Sequence, residues 1–150
     1  MHKEGFLLKL DLSKAYDRVD WNFLLQGLEA FGFNKRFRDL IFMLVSSTTF
    51  LVLVNGSPTP FFKASRGLRQ GDPISPFLFI LLAECLGRFV EKMVMMGDFM
   101  GLNPSSTTLI CSHQQFFNDS IVMGEASVRN TRNIKNALED YGQASRQIIN

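Results

Sequence analysis

The chain has 150 residues, of which 46% are hydrophobic and 20% charged, with sixteen basic side chains against fourteen acidic ones and a net charge of +2. This size and apolar content are enough to bury one core, so we expect a single domain over residues 1–150. The mixed charges exclude a disordered polar tail and a polybasic arm. Any contact with nucleic acid must therefore come from local clusters of arginine and lysine.

The sequence also argues against a zinc-binding protein and a membrane-spanning protein. Cys85 and Cys111 belong to no CxxC or HxxxH pattern, so a tetrahedral zinc site is not predicted. The most apolar run, residues 77–86, contains Glu84 and is far shorter than the roughly 20 apolar residues that span a membrane. The N-terminal residues also lack the long apolar stretch of a signal peptide. We therefore expect reduced thiols and an intracellular protein without a membrane partner, in a compartment that the sequence does not name.

The chain begins with a predicted strand and two predicted helices. Residues 6–12 read FLLKLDL, which indicates a buried strand with Asp11 near its end. Asp20 and Asn34 each stand before an apolar stripe at helical spacing, so both are expected to cap helices. We expect both stripes to face the core. Their members are Trp21, Leu24, Leu25, Leu28 and Phe31 in the first helix, and Phe37, Leu40, Ile41, Leu44 and Val45 in the second.

The middle of the chain predicts a hairpin and a long helix. The Asn55-Gly56 pair is a strong turn signal, and it separates strand-like runs near 49–54 and 60–65. Ser75 is expected to cap a helix that is apolar on most faces. Such a helix lies under a sheet, because it has no polar side to expose to solvent.

The last third of the chain predicts two more strands and a fourth helix. Strands near 107–112 and 120–124 are expected to flank the stretch HQQFFNDS, which would then lie at a hairpin tip. Ser127 can cap a final amphipathic helix. Together these elements predict an α+β fold, in which four helices accompany an antiparallel sheet.

Two carboxylates are candidates for chemistry, Asp11 at the end of one strand and Asp119 in the turn between two others. If those strands are neighbours in an antiparallel sheet, the acids converge at one edge. Hard oxygen ligands placed in this way suit magnesium, which in turn binds phosphoryl groups. Acidic residues at strand ends and turns are more often simply solvated, so spacing alone leaves both interpretations open.

The loop RGLRQGDP, residues 66–73, has two glycines and several long polar side chains directly before a helix. Glycines allow close approach of the backbone, free N–H groups at a helix start attract anions, and arginines pair with phosphates. A tight turn from hairpin to helix would explain the same residues equally well. A ligand-binding loop and a structural turn are therefore both open interpretations.

Three segments, LDLSKAYDRVDW, RGLRQGDPISPFLFIL and QQFFNDSIVMGEAS, stand in the order and spacing of successive palm motifs of reverse transcriptases. Along essentially its whole length the chain resembles the non-LTR, LINE-type retrotransposon enzymes, those of plants most of all. The resemblance implies a partial reverse transcriptase domain over residues 1–150, a polymerase palm with fingers and thumb largely missing. It implies an RNA-directed DNA polymerase that uses two magnesium ions, an RNA template, a DNA primer and deoxynucleoside triphosphates, and it allows a nuclear location.

The resemblance also gives nucleotide-binding or template-binding roles to two segments. Backbone amides at Lys14 and Ala15 would donate to the triphosphate, and the Tyr16 side chain would exclude a ribose 2′-hydroxyl. The competing interpretation of Tyr16 is a plain core aromatic. The second segment is the loop 66–73, which would contact the incoming nucleotide, the template or their phosphates. The loop residues concerned are Arg66, Arg69, Gln70 and Gly71.

The hairpin turn departs from the family pattern. Relatives usually carry an aromatic, a variable residue and two aspartates, where this chain has Phe116-Phe117-Asn118-Asp119. By resemblance the catalytic and metal-binding positions are Asp11, Asn118 and Asp119, but Asn118 is neutral. Loss of one charged ligand costs about 3 to 4 kcal/mol of transition-state stabilisation, roughly a hundred- to a thousandfold in rate. We expect weakened magnesium binding and a degenerate enzyme with little activity; the alternative is a non-catalytic module that binds nucleic acid or protein.

Overall fold

The computed structural model describes residues 4–103, 110–116 and 119–150. It contains helices and antiparallel strands, as the α+β prediction requires. The helices of the described ranges are α1 (Trp21–Ala30), α2 (Lys35–Ser46), α3 (Ser75–Met95) and α4 (Val128–Ser145). The strands are β1 (Gly5–Ser13), β2 (Thr49–Phe50), β3 (Leu53–Val54), β4 (Ser57–Pro58), β5 (Phe62–Lys63), β6 (His113–Phe116), β7 (Asp119–Glu125) and β8 (Ile148–Ile149).

The central sheet has the strand order β6-β7-β1-β8, and each neighbouring pair is antiparallel. Successive residues of β1 point to opposite faces, so Leu10 is buried while Lys9 and Asp11 are exposed. Leu10 and Val122 of β7 pack in one core cluster with side chains of α3 and α4. The two helices therefore cover one face of the sheet, and the side chains of Lys9 and Asp11 lie on the other.

Helix starts are the best-predicted part of the fold. The Asp20 carboxylate accepts a hydrogen bond from the backbone N–H of Phe23 at 3.0 Å, and Asn34 caps α2 in the same way. Ser127 accepts from the backbone N–H of Asn130 at 3.1 Å and caps α4. Three of the four predicted caps are thus confirmed, and each of the three depends only on residues within three positions of the cap.

The core-facing stripe predicted for α2 is only partly correct. Ile41 is fully buried and joins the core formed with α1 and α3. Leu40 and Leu44 are 45% and 46% exposed, so the prediction for these two side chains is wrong. The helix packs on the rest of the molecule along a narrow seam, and the flanks of its apolar stripe are left outside the contact.

The predicted hairpin is present, with shorter strands than expected. Asn55 and Gly56 have φ values of 49° and 82°, the pair of positive angles that a tight hairpin turn requires. The expected strands over 49–54 and 60–65 are broken into two ladders, β3 with β4 and β2 with β5. Between the two ladders the register shifts by one residue, from Leu53 opposite Pro58 to Phe50 opposite Phe62. The N–H of Thr59 still donates to the Val52 carbonyl at 2.8 Å, but the N–H of Val52 donates to the Thr59 hydroxyl and not to its carbonyl.

The predicted cap of α3 is wrong. Ser75 is the first residue of the helix and is buried, and Ile74 precedes it without a side-chain capping bond. Asp72 makes the turn instead, because its carboxylate accepts from the backbone N–H of Ile74 at 3.1 Å. Its carbonyl also accepts from the backbone N–H of Ser75 at 3.1 Å.

The strand predicted over 107–112 is displaced. Residues 104–109 lie outside the described ranges, and the strand that pairs with β7 is β6, residues 113–116. HQQF therefore belongs to the sheet and not to a hairpin tip. One of its polar side chains bonds to α3, since the Gln115 amide donates to the Ala83 carbonyl at 2.7 Å. Strand β8 was not predicted.

Candidate active site

Asp11 and Asp119 stand directly opposite each other in the antiparallel register of β1 and β7. Cross-strand partners point to the same face of a sheet, so both carboxylates lie on the face that α3 and α4 leave uncovered. The strands are neighbours, as the convergence of the two acids requires. Asp119 also pairs with Phe116 at the start of the β6–β7 hairpin, which puts the acids at one end of the sheet.

The backbone of Asp11 is held on both sides. One side belongs to the β7 ladder. On the other, the N–H of Asp11 donates to the Asn150 carbonyl at 3.2 Å, and the N–H of Asn150 donates back to the Asp11 carbonyl at 2.9 Å. A strand paired on both edges has little freedom to shift, so the backbone position of Asp11 is well defined.

The third predicted metal position, Asn118, lies outside the described ranges, as does Phe117. Within the ranges that the structure does describe, no group of three or more His, Cys, Asp or Glu side chains could hold a metal ion. Two exposed carboxylates on neighbouring strands nevertheless fit magnesium. Protein sites for this ion commonly supply one or two carboxylates and leave the other positions to water and substrate phosphates.

Lys9 is a part of this site that sequence reasoning missed. Its ammonium Nζ lies 3.1 Å from Asp119 Oδ2, on the same face of the sheet as Asp11. The available signal was the alternation of Lys9 and Asp11 in an otherwise apolar strand, which puts both charges on one face.

The turn after β1 contains the residues that are predicted to contact the triphosphate. Lys14 is exposed and has a φ of 52°, whereas Ala15 is buried in the core. The ring of Tyr16 stacks on Phe79 with centroids 4.8 Å apart and planes 13° apart. Tyr16 is half-buried, so its core packing leaves part of the side chain accessible.

Loop 66–73 is attached to this turn through Gly67. The N–H of Gly67 donates to the Val19 carbonyl at 2.7 Å, and the Gly67 carbonyl accepts from the Trp21 indole at 2.8 Å. Gly67 has a φ of 94°, and a Cβ there would lie 3.0 Å from the Asp17 carbonyl oxygen. Only glycine meets both conditions without strain. The loop is therefore anchored tightly against the segment that follows Asp11.

Three of the predicted binding residues in this loop border one concave surface. Arg66, Arg69 and Gln70 are exposed and line a cavity of about 510 Å³, together with the C-terminal part of α2 and Phe50 of β2. Gly71 does not line it. Its φ is 89°, and a Cβ there would meet nothing within 4 Å. The arrangement brings two guanidinium groups to one open cavity wall.

An antiparallel sheet with helices on one face and two opposed carboxylates on the other defines a polymerase palm. The chain belongs to the family described as reverse transcriptase (RNA-dependent DNA polymerase), which matches residues 1–150. The resemblance inferred from the three motifs is confirmed.

None of the helices in the described ranges combines the length and apolarity needed to cross a membrane.

Curated relatives include proteins of mobile elements. The chain is 34% identical over 87 residues to the retrovirus-related Pol polyprotein from the type-1 retrotransposable element R2 of Popillia japonica, covering 57% of this chain and 14% of that one. It is 39% identical over 77 residues to the transposon TX1 uncharacterized 149 kDa protein of Xenopus laevis, covering 51% and 6%. An uncharacterized mitochondrial protein of Arabidopsis thaliana is 39% identical over 70 residues, covering 47% and 57%. The chain thus spans less than two thirds of each relative.

Solved telomerase structures have the same fold. A telomerase from Candida albicans, in complex with a fragment of telomeric RNA, superposes with a TM-score of 0.71 at 13% identity, covering 98% of this chain and 26% of that one. Apo telomerase from Candida tropicalis gives a TM-score of 0.66 at 14% identity, covering 100% and 28%. At such low identity the likeness concerns the fold alone.

Proposed function

We propose that residues 1–150 are the metal-binding palm of an RNA-directed DNA polymerase from a non-LTR retrotransposon, and that Asn118 leaves this chain with little activity. The single observation that carries the proposal is the register of β1 and β7, in which Asp11 faces Asp119 on the uncovered side of the sheet. The substrates would be an RNA template, a DNA primer and deoxynucleoside triphosphates.

Asp11 and Asp119 would hold the metal, since both are acidic side chains on neighbouring strands, Asp11 exposed and Asp119 half-buried. When bound, magnesium would neutralise charge on the triphosphate and assist attack by the primer 3′-hydroxyl. Asn118 can offer only a neutral amide oxygen where relatives have a carboxylate. The site of this chain is therefore one negative charge short, and metal affinity falls accordingly.

Nucleotide and template contacts are proposed for the two segments that Gly67 holds together. Lys14 and Ala15 follow β1 directly, so the turn that contains them starts from the same end of the sheet as Asp11. Tyr16 would lie against the sugar of the nucleotide with the part of its ring that Phe79 does not cover. Arg66 and Arg69 would bind phosphate or the template backbone, because arginine pairs with phosphate oxygens at an open surface. Gln70 and Gly71 would contact the incoming nucleotide and the template.

Restoring the missing carboxylate tests this function. We expect Asn118→Asp to raise magnesium-dependent primer extension on an RNA template by about a hundred- to a thousandfold over the natural chain. The matched control adds Asp11→Asn to Asn118→Asp and should abolish the gain. Circular dichroism of all three proteins would establish that each is folded.

Two results would contradict the proposal. Robust extension by the natural chain would mean that Asn118 does not impair it. Equal extension by Asn118→Asp with and without Asp11→Asn would mean that Asp11 is not a metal ligand.

The second candidate function is a non-catalytic nucleic-acid-binding module that uses the loop 66–73. The observation in its favour is that Arg66 and Arg69 both border one cavity and are exposed. Binding of an RNA–DNA hybrid that weakens with salt, loses strength in Arg66→Ala/Arg69→Ala and is indifferent to Asp11→Asn and to EDTA would favour this function. An absence of hybrid binding at low salt would exclude it.

A further inference from the structure

Lys9 and Asp119 form an ion pair within the candidate metal site. Lys9 Nζ lies 3.1 Å from Asp119 Oδ2, and the two side chains are 66% and 46% exposed. In the register Lys9 is opposite Ile121, while Asp119 is opposite Asp11. The ammonium therefore reaches diagonally across the strands to a carboxylate that already faces Asp11.

This pair contributes little to folding. Exposed ion pairs gain modest Coulomb energy in water and lose side-chain entropy, so their net effect on stability is small. Its effect on a bound cation is different, because the ammonium occupies one oxygen of a carboxylate that the cation would also use. A positive charge held beside that oxygen also repels any divalent ion that approaches it.

We propose that Lys9 regulates the metal occupancy of the palm. The ammonium holds Asp119 when no divalent cation is bound and must leave that oxygen before the cation can bind. This inference rests on the proposed function, since it assumes that Asp11 and Asp119 bind the metal. The further consequence is that, because of Lys9, the natural chain binds the metal more weakly than Asp11 and Asp119 would without a neighbouring ammonium.

The expected size of the effect follows from charge separation. A unit charge about 6 Å from a divalent ion, in a water-like medium with physiological salt, changes the affinity of that ion by roughly three- to tenfold. Lys9→Met removes the charge and keeps the length of the side chain. We therefore expect three- to tenfold tighter metal binding by this variant.

The experiment is a titration with Mn²⁺ followed by electron paramagnetic resonance, at fixed ionic strength and without nucleotide or nucleic acid. Lys135→Met is the matched control, because Lys135 also forms an exposed ion pair, with Glu139 on α4 at 3.9 Å, and lies outside the candidate metal site. It should leave the affinity unchanged. Lys9→Gln is a second variant that should behave like Lys9→Met, and adding Asp119→Asn should reduce the difference that Lys9 makes, because the ammonium is then no longer held beside the site.

The outcomes separate the two proposals. Tighter binding by both Lys9 variants, with Lys135→Met unchanged, supports the role of Lys9 even if no variant extends a primer. Equal or weaker binding by the Lys9 variants overturns that role and leaves the metal site intact. Absence of Mn²⁺ binding in every protein overturns both the role of Lys9 and the proposed metal site.

Discussion

The guanidinium Nε of Arg146 lies 3.2 Å from Asp20 Oδ2 and joins the end of α4 to the start of α1. The other oxygen of Asp20 accepts from the N–H of Phe23, so one carboxylate both caps a helix and pairs with a residue distant in sequence. Arg146 has a φ of 57°, a left-handed conformation that costs a non-glycine residue about 1 kcal/mol or more. An ion pair and backbone strain are thus combined in one residue.

Substitution of Arg146 separates these two effects. Arg146→Ala loses the ion pair and keeps the strain, so we expect it to lower the free energy of unfolding by about 0.5 kcal/mol. Arg146→Gly also loses the ion pair but relieves the strain, and should be more stable than Arg146→Ala by about 1 kcal/mol. Urea denaturation of the three proteins measures both differences. Equal stability of the two variants would mean that position 146 is not strained.

Glycine at position 67 is required by sterics as well as by its backbone angle. Gly67→Ala would force a Cβ to within 3.0 Å of the Asp17 carbonyl at a positive φ, and we expect it to cost about 2 to 3 kcal/mol. Gly71→Ala is the matched control, because Gly71 has a similar φ of 89° and open space around it. It should cost about 1 kcal/mol. A thermal melt that ranks Gly71→Ala as the less stable variant would refute this account.

Asn130 holds the end of β7 and the segment that follows α3 onto α4. Its buried amide accepts from the backbone N–H of Met100 and donates to the carbonyls of Met100 and Glu125, each at 2.9 Å. Asn130→Ala should cost about 3 kcal/mol, since it removes three hydrogen bonds of a buried amide and takes away the acceptor of the Met100 N–H. Asn133→Ala, which removes one exposed bond to the Asp98 carbonyl, should cost under about 1 kcal/mol. Chemical denaturation compares the two, and similar losses would count against the buried network.

The Tyr141 phenol gives the stability of the fold a dependence on alkaline pH. Its hydroxyl donates to the Leu82 carbonyl at 3.2 Å, and burial raises the pKa of Tyr141 well above its ordinary value. Because the folded pKa is raised, the stabilisation is complete below the unfolded pKa of about 10 and is lost as pH rises beyond it. The loss due to this group approaches about 1.4 kcal/mol per pH unit.

Tyr141→Phe should remove that dependence. At pH 7 the variant should be less stable by about 1 kcal/mol, because the hydrogen bond to Leu82 is gone. Between pH 10 and 11 its stability should fall less steeply than that of the natural chain. Urea denaturation at each pH makes the comparison, and parallel losses in the two proteins would show that Tyr141 is not the titrating group.

The features that could be predicted from sequence are those that depend on near neighbours. Asp20, Asn34 and Ser127 each cap a helix by accepting a hydrogen bond from the N–H three residues ahead. The hairpin turn needs only the positive φ angles of Asn55 and Gly56. Such interactions form within a few residues, so residue type and spacing are sufficient to predict them. The motifs that led to the family assignment are likewise short and contiguous.

The predictions were wrong or incomplete where two neighbouring residues could each start a helix, and where a strand forms only through contact with a segment distant in sequence. Ser75 was expected to cap α3, but Asp72 makes the preceding turn and Ser75 becomes helical and buried. The polar strand β6 is stabilised by the bond from Gln115 to the carbonyl of Ala83 on α3, which no local pattern encodes. Strand β8 exists because its residues meet the end of β1, far away in sequence.

For the candidate site, the sequence by itself determined which carboxylates are available and which one is missing, because Asp11, Asn118 and Asp119 are matters of residue identity. Only the tertiary structure decided that Asp11 faces Asp119 and that Lys9 reaches the latter at 3.1 Å. The physical reason is strand register. A shift of one residue between β1 and β7 would turn every side chain of one strand to the other face, and packing of Leu10 and Val122 against α3 and α4 excludes that shift.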